Sequence, residues 1–152
     1  MVVVQRAVLL QRRRLQGKSK LATLLGNDIY DRIADKTVID FGCGDGDAAI
    51  ELAQKGAERV IGIDIRDEVL ETARKKAAES EAGCKCAFVR STEERADVLI
   101  SLDSFEPFAE PARTLQQMSS LLQPSGEVIA SFGPTWFHRW EDICSLCFHR
   151  LT

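Results

Sequence analysis

The sequence has no apolar run near the roughly 20 residues needed to cross a bilayer, which excludes a helical membrane span. Acidic residues are absent from residues 1–27, where Arg6, Arg12, Arg13, Arg14, Lys18 and Lys20 make a basic arm. The remainder carries 14 basic and 23 acidic residues, so the body is acidic at −9. Such a short basic run reads as the solvated face of a helical segment, not as a nucleic-acid contact. MVVV lacks the positive stretch that opens a secretory signal. The five cysteines form no even set, and without an export signal they read as reduced thiols of a cytoplasmic protein. Cys84 and Cys86, then Cys144, Cys147 and His149, match no structural zinc finger, and no metal is expected. Internal repeats and low-complexity stretches are also missing, and 152 residues make room for one domain with a single core.

What is present is an alternation of helical and extended patterns. Residues 4–15 space Val4, Val8, Leu9 and Leu15 as a short amphipathic helix, and 21–25 and 28–33 continue helically around a break at Gly26, with Asn27 or Asp28 as cap. Thr37 to Phe41 is a near-continuous apolar run, as in a parallel strand buried on both faces. A helix from Asp47 to Lys55 stops at Gly56, and Arg59 to Ile63 gives the second strand. Asp67 is expected to cap a helix whose stripe is Val69, Leu70, Ala73 and Ala77, and which Gly83 ends. Cys86 to Val89 and Val98 to Leu102 give two more strands, joined by a polar connection too short for a full helix. Pro111 opens a helix that turns Leu115, Met118, Leu121 and Leu122 inward, and Pro124 to Gly126 turn into a fifth strand, Glu127 to Phe132. Strands alternating with helices predict an α/β fold: a Rossmann-like open parallel sheet of about five strands with helices on both faces.

The chemistry concentrates in VIDFGCGDG, residues 38–46, where a strand runs into Gly42, Gly44 and Gly46 and then into a helix. Glycine permits a left-handed backbone and lets a ligand approach closely, and the helix start aims N–H groups into the turn. Asp64 ends the next apolar run, 22 residues after Gly42, about where such sheets place a carboxylate on a ribose. A dinucleotide fold wants G-x-G-x-x-G, whereas this turn is G-x-G-x-G and carries Asp40, Asp45 and Asp47. Acids repel a pyrophosphate and attract a cationic aminoacyl nucleoside.

These residues resemble the class I S-adenosylmethionine-dependent methyltransferases. VIDFGCGDG is similar to the first family motif, IGIDI with Asp64 to the acidic second, SLDSFEPF to the fourth-strand segment, and LLQPSGEVIASFGP to the fifth-strand turn. The resemblance implies S-adenosylmethionine as cofactor, with Gly42, Cys43, Gly44 and Gly46 passing around its methionine portion and Asp40 and Phe41 near the amino end. It puts Asp64 on the ribose hydroxyls, Ile65 on the adenine, and Ser91 or Thr92 at the adenine edge. Leu102 and Asp103 would line the methyl donor's pocket. Asp103, Glu106 and His138 are the acceptor-side candidates for catalysis, although the first two also suit turn capping and a lone histidine suits a bystander role. The family's usual histidine after Glu106 is Pro107 here.

The resulting division is a basic helical segment over 1–35, the cofactor-binding core over 36–138, and an atypical tail over 139–152. The family continues after S-F-G-P-x-W with H-P-x-G-G-H, whereas this chain reads FHRWEDICSLCFHRLT, which one lost nucleotide after His138 explains. On that reading the tail is out of frame and the family's last two strands are lacking. The fifth strand is then an open edge suited to pairing in a homodimer. The expected activity is methyl transfer by in-line displacement to an unidentified acceptor, a small molecule in preference to a macromolecule, with no membrane or nucleic-acid partner. A non-catalytic cofactor-binding module and a nicotinamide-dependent oxidoreductase are the rival readings.

Overall fold

The structure, a computed structural model, describes residues 19–102 and 111–131. The expected helix over 4–15, the candidates Asp103, Glu106 and His138, and the tail lie outside the described residues. The order is α1 (Lys20–Leu25), α2 (Ile29–Ile33), β1 (Thr37–Phe41), α3 (Asp47–Gln54), β2 (Arg59–Ile63), α4 (Asp67–Ala78), β3 (Cys86–Val89), β4 (Ala96–Leu102), α5 (Pro111–Ser120) and β5 (Leu122–Ser131). The five strands form one parallel sheet in the order β3-β2-β1-β4-β5.

Crossovers between parallel strands are right-handed, so the direction of travel across the sheet decides which face each helix covers. From β1 through β2 to β3 the chain moves one way, and α3 and α4 pack on one face. Ala49, Leu52, Leu70 and Ala73 join Val38, Val60, Phe88 and Ile100 there, with Leu21, Leu25, Ile29 and Ile33 of α1 and α2. From β4 to β5 it moves the other way, and α5 covers the opposite face, where Met118 and Leu121 meet Ile39, Ile61, Leu99 and Val128. Alternate residues of β1 therefore point to different cores, which is why the strand reads as continuously apolar.

Several boundaries differ from expectation for local reasons. Asp67 is the first residue of α4, not its cap, and its carboxylate accepts from Arg90 Nη1 at 3.1 Å; Arg66 holds the cap position with no side-chain cap bond. At α2, Asp28 is the cap residue but its side chain makes no cap bond. The side-chain cap is at α1 instead, where Ser19 Oγ accepts from the Ala22 amide at 3.1 Å. The helix α4 stops at Ala78, before Gly83, and the 3-10 turn over Gly83–Lys85 packs back on the helix end so closely that a Cβ at Gly83 would fall 1.8 Å from the Ala77 carbonyl oxygen. β4 begins at Ala96, which pairs with Leu122, and the expected Pro124–Gly126 turn bulges out of β5 before pairing resumes at Val98 and Glu127.

Candidate functional site

Open α/β sheets bind ligands beyond the carboxyl ends of the strands where strand order reverses. Here the reversal lies between β1 and β4. The glycine turn leaves β1 at that end, and Asp64 leaves β2 next to it.

The turn holds three left-handed glycines, Gly42 at φ 80°, Gly44 at 53° and Gly46 at 83°. Two of them differ in what a side chain would meet. At Gly46 a Cβ would come within 2.8 Å of Ala73 Cβ and 2.9 Å of Phe88 Cε1, so this glycine lets α4 and β3 close on the turn. At Gly44 a Cβ would meet nothing within 4 Å, which leaves open space above the turn's tip.

Most of the turn's own amides are engaged within the chain. The Gly42 and Cys43 amides both donate to the Ile63 carbonyl, at 2.8 and 3.0 Å, and the Gly46 amide donates to the Cys43 carbonyl at 3.0 Å. The Gly44 amide donates to Asp64 Oδ2 at 3.0 Å. A pyrophosphate needs such amides free, and four of the five in the turn are taken up internally.

Asp64 is buried, and its carboxylate is surrounded by donors. Oδ1 accepts from the Arg66 amide and from Arg66 Nε, and Oδ2 accepts from the Gly44 amide and from Arg66 Nη2, all at 3.0 Å. Burial opposes ionisation, but the Arg66 and Gly44 donors outweigh it and hold the carboxyl below its ordinary pKa. Ile65, next in sequence, is 78% exposed, the one large hydrophobic side chain so exposed among the described residues.

Asp40 is the opposite case. It lies on β1 between Gly62 and Ile100, and its Oδ2 is buried with no hydrogen-bond partner among the described residues. Burial pushes its pKa up to about 7, with the charge of Lys20 opposing and that of Asp64 adding. Ser101 Oγ, near the end of β4, is the other buried side-chain atom without a partner among those residues.

The remaining expected site residues are placed unevenly. Phe41 directs its ring into the core under α5, so only its backbone belongs to the turn. Cys43 is buried under the turn, and burial with the nearby acids pushes its thiol pKa up, which makes it inert packing. Leu102 is buried at the end of β4. The Asp64 amide donates to the Val89 carbonyl at 3.3 Å, so the segment with Ser91 and Thr92 leaves β3 beside Asp64; Thr92 Oγ1 accepts from the Glu94 amide at 3.1 Å. Asp45 and Asp47, expected to attract a cationic ligand, both pair with Lys76 instead, Asp47 at 2.7 Å. Only Asp40 and Asp64 remain as acids of the turn's inner side. Two residues not singled out in the sequence define this picture. They are Lys76, three residues along α4 from Ala73, and Arg66, whose position two residues after Asp64 was the available signal.

Against known families, residues 33–148 match the methyltransferase domain family. The chain belongs to that family. The matched stretch spans the whole described sheet and runs into the tail. Among relatives, the domain is 33% identical over 132 residues to a ribosomal protein L11 methyltransferase of Shewanella pealeana, covering 78% of this chain and 45% of the relative. It is 36% identical over 107 residues to a ubiquinone biosynthesis O-methyltransferase of Serratia proteamaculans, covering 65% and 43%. The chain thus spans less than half the length of these curated relatives. A solved methyltransferase of Thiobacillus denitrificans, in complex with S-adenosylhomocysteine, superimposes with a TM-score of 0.57 at 22% identity, over 72% of this chain and 46% of that one, which supports the fold.

Proposed function

We propose that this methyltransferase domain binds S-adenosylmethionine at the β1–β2 end of the sheet and serves methyl transfer to an acceptor by in-line displacement. The observation that carries the reading is the junction of Gly44 with Asp64: a turn tip with open space above it, hydrogen-bonded to a buried carboxylate beside an exposed Ile65. The residues present fit the cofactor's groups. Asp64 offers acceptors to ribose hydroxyls, Ile65 offers an apolar face to adenine, and Ser91 and Thr92 stand at the adenine edge. The unpartnered Oδ2 of Asp40 suits the α-ammonium, and the turn from Gly42 to Gly46 with Leu102 flanks the methionine portion.

S-adenosylmethionine supplies an activated methyl group on a sulfonium, which leaves as a neutral thioether. The chain's part is to orient: positioning lowers the barrier, and a base matters only where the acceptor loses a proton. Asp103, Glu106 and His138 remain the candidates for that role. A pyrophosphate-bearing nicotinamide cofactor fits poorly, because the turn amides already have partners.

For the acceptor we favour a small molecule, as for the ubiquinone-pathway relative, over a protein, as for the L11 relative. We further propose that β5, which has β4 as its sole neighbour among the described strands, pairs with a second copy. The free thiols of Cys43, Cys84 and Cys86 suit the cytoplasm, and no helix among the described residues is long and apolar enough to cross a membrane. The out-of-frame reading of residues 139–152 is tested by the gene sequence around the Arg139 codon, where a continuous frame that encodes this tail with no plausible missing base would refute it.

Calorimetric titration tests the central claim. S-adenosylhomocysteine should bind and a nicotinamide dinucleotide should not; the reverse overturns the reading. Transfer of labelled methyl groups into a cell extract should follow, whereas cofactor binding without transfer would favour a binding module.

A further inference from the structure

An ionised carboxylate offers about four lone-pair sites. All four of Asp64's are matched by donors within the chain: the Gly44 and Arg66 amides and the two guanidinium nitrogens Nε and Nη2 of Arg66. The two amides belong to the backbone of the turn and of the α4 start, and cannot leave without unmaking them. The two guanidinium bonds belong to a side chain that is 63% exposed, lying over a carboxylate that is 5% exposed. A ribose cis-diol presents two O–H donors with a spacing similar to that of the guanidinium fork, and therefore competes for the same two acceptor positions.

We infer that Arg66 is a latch on the cofactor site: its guanidinium fills the Asp64 acceptor positions that a ribose diol needs, so nucleoside binding exchanges one bidentate donor for another. This rests on the nucleoside reading above. Two consequences follow from the exchange. Ligands without a cis-diol cannot supply the replacement donors, and a ribonucleoside gives up part of its binding energy to free the carboxylate, so the latch lowers ribonucleoside affinity. The released guanidinium sits beside Ile65, at the mouth of the site.

Arg66 occupies the cap position of α4 without a side-chain cap bond, so its replacement leaves the helix start intact. Titration calorimetry with S-adenosylhomocysteine on the wild type, Arg66→Ala, Arg66→Lys and Asp64→Asn, each at low and high sodium chloride, separates the claims. Arg66→Ala should bind about two- to fivefold more tightly, the scale of an exposed ion pair that no longer has to be broken. Salt screens such a pair, so added salt should tighten binding to the wild type relative to Arg66→Ala. Arg66→Lys, which keeps the charge and loses the fork, should fall between the two. Unchanged or weaker binding by Arg66→Ala, with Asp64→Asn weakened, overturns the latch and leaves the nucleoside site standing. Unchanged binding by Asp64→Asn overturns both.

Discussion

Asp64 Oδ2 accepts the Gly44 amide at 3.0 Å, which ties the tip of the glycine turn after β1 to the end of β2. The bond joins two segments 20 residues apart and sets the carboxylate at the rim of the open space over Gly44. Replacing Asp64 with Asn keeps the shape but removes the charge. Each charge-assisted hydrogen bond contributes about 1.5–3 kcal/mol, so affinity for S-adenosylhomocysteine should drop by roughly tenfold to a hundredfold in a calorimetric titration.

Gly44 and Gly46 should respond differently to alanine. At Gly44 the added methyl meets no neighbour, so stability should fall only by the left-handed backbone cost of about 1–2 kcal/mol, while the methyl intrudes on the ligand. At Gly46 the same cost is joined by collision with Ala73 and Phe88, and overpacking adds about 1–3 kcal/mol. Thermal melts paired with ligand titrations should show Gly46→Ala as the less stable protein and Gly44→Ala as one whose binding loss exceeds its stability loss.

The buried Asp40 makes folding sensitive to pH. Below about pH 3.8 its carboxyl is protonated in folded and unfolded chains alike, and this group adds no slope. Between 3.8 and about 7 the unfolded chain releases the proton and the folded chain retains it, so stability falls as pH rises, and above 7 the penalty is complete. Three units at about 1.4 kcal/mol each bound the effect at about 4 kcal/mol. Asp40→Asn should flatten this part of the stability profile and raise the denaturation midpoint at pH 8, yet weaken binding of S-adenosylhomocysteine.

Asp45 and Asp47 face outward onto Lys76. Asp45→Asn should leave cofactor affinity within about twofold, and Lys76→Ala should cost well under ~1 kcal/mol in a melt, as exposed pairs do. A large loss of binding in Asp45→Asn would restore that acid to the site.

The sequence by itself determined the alternation of elements, because burial of a parallel strand on both faces forces the unbroken apolar runs at 37–41 and 59–63, and amphipathic stripes mark α3 and α4 between them. It also located the turn and the acid after β2, since φ above zero and a strand-end carboxylate leave local traces as glycines and as Asp64. What tertiary structure alone decided was which neighbours those groups meet. Lys76 lies 31 residues from Asp45, and Phe88 lies 42 from Gly46; only the packing of α4 and β3 onto the turn brings them together. That packing neutralised two acids that the sequence had pointed at a ligand and gave Gly46 a packing role beside Ala73 and Phe88. It left Asp40 buried without a partner and placed the Arg66 guanidinium over Asp64. Local chemistry is written in the order of residues, whereas desolvation and pairing depend on distances that only the folded chain fixes.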